Sequence, residues 1–139
     1  MQRRCSAIAS GNQWAFDIET NVFSKIYAQL NKKYPNALIT HDEQSSTTPT
    51  FPTILIQALE PVEKNADLEI QINSVLFSTQ ITVTTNKDRS AAMSIASEVA
   101  QRYKDLSFQL IGMPYCRKED KLWTVIIRAR RTFDWNDRL

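Results

Sequence analysis

Hydrophobic positions recur along the chain with two different periods, and each period marks a different kind of element. Ile18, Val22, Phe23, Ile26, Tyr27, Leu30 and Tyr34 return every third or fourth residue, the spacing of one face of an α-helix. This predicts an amphipathic helix over residues 17–33. Asp17 stands at its start as cap or first-turn acid, Lys32 and Lys33 suit its C-terminal dipole, and Pro35 stops it. A second stripe, Ala92, Ile95, Ala96, Val99, Ala100 and Tyr103, predicts a helix over about residues 88–103, with Asp88 or Ser90 as N-cap. Its small alanine-rich side lets it lie close to a sheet.

Elsewhere the period is two. Within a β-branched stretch from Glu69 to Thr85, Val75, Phe77, Thr79, Ile81 and Val83 fall on one face. Ser74, Leu76, Ser78, Gln80, Thr82 and Thr84 fall on the other, mostly polar face. In Leu122–Phe133, Trp123, Val125, Ile127 and Ala129 share one face, and Thr124, Ile126, Arg128 and Arg130 share the opposite one. Shorter strands are expected at Ala37–Thr40, at Phe51–Leu59 and at Leu106–Cys116. Pro52 puts the second of these at a sheet edge or marks its start, and Gly112 and Pro114 interrupt the third. Residues 41–50 read as a polar loop, and Pro61–Asp67 and Arg117–Lys121 as charged turns.

The order helix, strands, helix, strands predicts one small α+β domain, a mostly antiparallel sheet with two helices packed on one face. Residues 1–16 read as an N-terminal arm, 17–134 as the domain and 135–139 as a short C-terminal tail. The expected core is Phe23, Ile26, Leu30, Ile81, Val83, Ile95, Val99, Val125 and Ile127.

Composition narrows the function. A chain of 139 residues with 42% hydrophobic and 23% charged residues is an ordinary globular composition, large enough for a core without disulfides. Two glycines argue against a glycine-rich phosphate loop. The apolar runs are too short for a bilayer span. Met1-Gln2-Arg3-Arg4-Cys5 is not followed by the apolar stretch of a secretory signal, so a soluble, intracellularly made protein is expected. Cys5, Cys116 and His41 do not form a zinc pattern or carry a nucleophile signature. Cys116 is expected as a half-buried strand residue and His41 as a solvated loop residue, neither doing chemistry.

Phosphate-loop, dinucleotide, zinc-protease, nucleophile-elbow and calcium-loop motifs are all missing. The acid pairs Asp42-Glu43, Glu119-Asp120 and Glu60/Glu63 sit in polar turns, where solvation explains them. No enzyme activity, cofactor or metal is expected, and no residue is assigned a catalytic, cofactor-binding or metal-binding role. Arg128, Arg130 and Arg131 with Arg117, Lys118 and Lys121 make a basic C-terminal hairpin. The exposed aromatic pattern of RNA-binding sheets is lacking, which leaves a small nucleic-acid-binding module as an alternative reading.

Charge is unevenly spread. Residues 1–40 carry a net +3, residues 41–99 a net −5 and residues 100–139 a net +4. An acidic middle between basic ends suits a molecule that meets copies of itself through complementary patches.

The stretch from about Phe51 to Phe133 resembles the tail terminator (tail completion) proteins of long-tailed bacteriophages. The features are the strand "FPTILIQALEP", the run "FSTQITVTTNKDRS" leading into the helix "AAMSIASEVAQRY", and "FQLIGMPYCRKEDKLWTVIIRARRTF", ending in basic and aromatic residues. The first helix resembles that family's opening helix, whereas the arm departs from the family pattern. The resemblance implies a structural virion protein, assembled in the host cytoplasm. Such a protein forms a ring, commonly of six copies, on the tail tube, ends tube polymerisation and joins the tail to neck or head-completion proteins. Phage DNA passes transiently through its channel; no membrane or small-molecule substrate is involved. Another head–tail connector subunit is the alternative. A closed ring needs a head-to-tail interface. The expected ring or channel residues are Arg128, Arg130 and Arg131, facing Glu60, Glu63, Asp67 and Glu69 of the next copy.

Overall fold

The computed structural model describes residues 13–41, 51–59, 74–134 and 137, with 62–64 placed by their backbone. In chain order the elements are α1 (Gln13–Phe16), α2 (Ile18–Lys33), β1 (Leu38–Thr40), β2 (Thr53–Ala58), β3 (Val62–Lys64), β4 (Ser74–Thr85), α3 (Arg89–Asp105), β5 (Gln109–Leu110), β6 (Tyr115–Glu119) and β7 (Leu122–Asp134).

The two long alternating segments pair with each other. β4 and β7 run antiparallel along their whole length, from Ser74 opposite Asp134 to Thr85 opposite Trp123. They form the centre of a seven-stranded sheet of order β1-β2-β4-β7-β5, with β3 also on β4 and β6 also on β7. Alternation puts Val75, Phe77, Ile81, Val83, Val125, Ile127, Ala129 and Phe133 on one face, all buried. α2 and α3 cover that face. The fold is the expected α+β domain: among the described strands β1–β2 is parallel, and the other pairs are antiparallel.

α2 buries Ile18, Val22, Ile26 and Leu30, and α3 buries Ala92, Ile95, Ala96, Val99 and Tyr103. Each fully buried aliphatic side chain contributes roughly 1.5–3 kcal/mol. Asp88 caps α3, its Oδ1 accepting from the Ala91 N–H at 2.7 Å. Asp17 precedes α2 but makes no side-chain cap bond; its Oδ1 accepts from Gln13 Nε2 instead. Among the described residues no helix is long and apolar enough to cross a membrane.

Several expectations change. Phe23 is only half-buried, because the buried line of α2 steps by four residues and leaves position 23 on its flank; its ring stacks on His41 at 5.0 Å. Residues 62–64, expected in a charged turn, pair with β4 as β3. The turn expected at residues 117–121 contracts to Asp120 and Lys121, both with positive φ. Residues 117–119 join β6 instead, since the two-residue loop lets pairing run up to Glu119 and Leu122. The segment Leu106–Cys116 splits: Leu106 caps α3, Phe108 enters the core, and only Gln109–Leu110 and Tyr115–Glu119 pair. β2 lies between β1 and β4, so Pro52 marks its start and not an edge. Of the expected arm, residues 13–16 form α1, with Trp14 and Ala15 against the core; residues 1–12 lie outside the described residues. So do most of the polar loop, residues 42–50, and the first part of the expected β stretch, residues 69–73.

Candidate functional site

The face of the sheet away from α2 and α3 carries the basic residues singled out from the sequence. Register aligns its side chains in rows across neighbouring strands about 4.8 Å apart. One row is Gln57, Gln80 and Arg128. The next is Leu55, Thr82, Ile126 and Tyr115. A third is Thr53, Thr84, Thr124 and Arg117, and Ser78, Arg130 and Gln109 make a fourth. The surface is hydroxyl- and amide-rich, with aliphatic groups half-buried among them and Tyr115 61% exposed.

Arg128 and Arg130 stand two residues apart on β7, both exposed. Arg128 Nε donates to Gln80 Oε1 at 2.9 Å across the strand pair. Arg117 is exposed on the same face, opposite Thr124. Among the described residues these three guanidiniums make no ion pair. Charge held on a surface without an internal counterion is available to an anionic partner.

Arg131, expected in the same group, lies on the opposite face. One residue of displacement in a strand reverses the side-chain direction. Its Nη1 donates to the Leu106 carbonyl at 2.7 Å, its Nη2 lies 3.8 Å from Asp137 Oδ2, and its guanidinium sits 4.3 Å from the centre of the Phe133 ring. That carbonyl is at the C-terminal end of α3, where a cation is favoured by the helix dipole. Arg131 therefore ties helix to sheet. Lys118 also leaves the basic group, its Nζ resting over Trp123 at 5.3 Å from the ring centre. The basic hairpin of the sequence is thus two sets, one outward and one structural.

Of the acids expected to face the arginines, Glu60, Asp67 and Glu69 lie outside the described residues. Glu63 is placed in β3 in register with Val75. Sequence reasoning did not single out Gln80 or Gln57, which share a row with Arg128. Alternation marked Gln80 as outward; which strand it would adjoin had no local signal.

Other chemistry is sparse. Cys116 on β6 and His41 after β1 are separated by β2, β4 and β7, too far to act as a nucleophile pair. Among the described residues no three His, Cys, Asp or Glu side chains group to hold a metal. Tyr103 is fully buried and its hydroxyl has no hydrogen-bond partner of good geometry among the described residues. Burial pushes this phenol well above its ordinary pKa, against a smaller opposing pull from Thr79. The Thr79 hydroxyl donates to the Gln57 carbonyl. Burial also raises the Tyr34 phenol, with Lys33 working against the shift and Glu98 adding to it.

The chain matches no protein-family model and no curated protein.

Proposed function

We propose that this protein is a structural subunit of a phage tail, a tail terminator that assembles as a ring on the end of the tail tube, stops tube growth and presents a surface to neck or head-completion proteins. The observation that carries the reading is the outward face of the sheet. It is a surface in which Thr, Ser and Gln rows surround half-buried Leu55 and Ile126, with Arg117, Arg128 and Arg130 unmatched by any described acid. A face of this kind suits contact with another macromolecule more than turnover of a small substrate. The α+β fold with both helices on one side agrees with the resemblance read from the sequence. In the ring, Arg128 and Arg130 meet acids of the middle block of the next copy, and arginines left over point to the channel and its DNA. The protein works without cofactor and resides in the virion.

The test is electron microscopy of tails assembled with and without the protein. Its loss should leave tubes of uncontrolled length. Tubes of normal length that fail only to join heads would assign it to another head–tail connector and overturn the terminator reading.

A further inference from the structure

Two apolar features belong to different parts of the molecule. The first is Phe16, at the end of α1, 73% exposed. α1 leads through Asp17 directly into α2, and Trp14 and Asp17 border a cavity also lined by Phe133 and Asp134 at the end of β7. The second is a groove of about 330 Å³ on the outer side of α3, formed with the segment that joins β5 to β6. Its apolar lining includes Met93, Ala96, Ala100, Leu110, Met113 and Pro114. Met113 is 88% exposed at its rim, on a chain turn made by Gly112 at φ +72. Phe16 stands just before the start of α2, whereas the groove is built from α3 and the β5–β6 segment, so phenylalanine and groove belong to different elements.

Charge distinguishes them as well. On α3 the positions 89, 93, 96, 100 and 104 follow one another along one stripe. Arg89 and Lys104 therefore bracket the groove at its two ends, both exposed and, among the described residues, without an ion pair. Phe16 is followed by Asp17 and Glu19, and Glu19 is exposed and makes no ion pair among the described residues. An aromatic knob beside acids and an apolar groove between cations are complementary. Because they occupy different surfaces of one chain, mating them generates a head-to-tail contact, the kind that closes into a ring.

We propose that Phe16 of one copy seats in the Met93–Ala100–Met113 groove of the next, with Glu19 drawn toward Arg89 or Lys104. The inference deepens the ring reading and rests on it. The alanines at 96 and 100 keep the groove floor low enough to receive a ring, and Met113 is a flexible wall that can close over it.

The experiment uses the full chain with Cys5→Ser and Cys116→Ser. Phe16→Cys and Met113→Cys are added singly and together, and tube-bound protein is oxidised and run without reductant. The double variant should give a ladder of covalent multimers, and each single variant should stay at one chain. Phe16→Asp, at an exposed position, should melt as the parent does and assemble at least ten-fold more weakly. A dimer from Met113→Cys alone would show that the groove meets a second copy of itself and overturns the seating. An assembled parent whose double variant gives no ladder, and whose Phe16→Asp form assembles normally, overturns the seating and leaves the ring intact. A parent that stays at one chain by native mass spectrometry, even on tube ends, overturns both.

Discussion

Arg128 on β7 donates its Nε–H to Oε1 of Gln80 on β4 at 2.9 Å, the two residues standing directly opposite in the antiparallel register. The bond ties the guanidinium to the sheet through Nε and leaves the Nη groups without a hydrogen-bond partner among the described residues. An arginine fixed in this way loses less side-chain freedom when a carboxylate or phosphate arrives. Arg130, two residues along, has no such tether among the described residues.

That relationship sets the first prediction. Arg128→Glu with Arg130→Glu should weaken self-assembly on tube ends at least ten-fold, about 1.4 kcal/mol, while the monomer keeps its circular dichroism and melting temperature. Reversing Glu60 and Glu63 to Lys in the same chain should restore part of the assembly. Assembly of normal salt resistance in the arginine-reversed protein would remove these residues from the interface. Rings that form but fail in DNA passage would place them in the channel.

The core carries a second prediction. Val99 and Ile127 are buried, at 0% and 2% exposure, where α3 meets the centre of the sheet. Truncating either to alanine should cost about 1–4 kcal/mol in urea unfolding, Ile127 the more because it loses more methyl groups. A change near zero at both would mean that the helices cover the other face.

Tyr103 supplies a pH dependence. Below the ordinary tyrosine pKa of about 10, folded and unfolded chains both hold the phenolic proton. As the pH rises past that value the unfolded chain ionises while the buried phenol, its pKa raised mainly by burial, stays protonated. The unfolded state then binds fewer protons, so stability falls with rising pH. Denaturation measured between pH 8 and 11 should show a steeper loss for the parent than for Tyr103→Phe. At pH 7 the substitution should be close to neutral or stabilising, because the hydroxyl it removes has no hydrogen-bond partner of good geometry among the described residues. Equal slopes for the two proteins, or a large loss at pH 7, would show a bonded hydroxyl.

The β6–β7 turn gives a fourth. Asp120 and Lys121 both adopt positive φ, 49° and 67°, as a type I′ hairpin loop requires. Lysine has no local side-chain bond to offset the left-handed strain, so Lys121→Gly should raise stability by about 1 kcal/mol. A melting temperature that falls would mean that the lysine side chain makes a contact worth more than the strain.

Much of this molecule is written in local pattern. The period of two in Ser74–Thr85 and Leu122–Phe133 separated core from surface at nearly every position, and the period of 3.6 found α2 and α3, with Asp88 one of the two residues offered as the cap of α3. These features are legible because a residue's face depends only on its own backbone geometry. The same rule separates Arg131 from Arg128 and Arg130, although reading the three as one charged cluster hid it.

What lay beyond local pattern was pairing. That Gln80 would brace Arg128, that β2 would be interior, and that Val62–Lys64 would join β4 all depend on which distant segments meet and in what register. Phe23 and Phe16 illustrate the same point in the helical layer. Both are large and apolar, yet one rests half-buried beside His41 and the other stands exposed, because a helix seated on a sheet buries only the line of residues that reaches it. Sequence determined the long elements α2, α3, β4 and β7 and their inward faces; tertiary structure decided the short strands and which residues became neighbours, since those contacts join positions tens of residues apart and no periodicity within either segment encodes them.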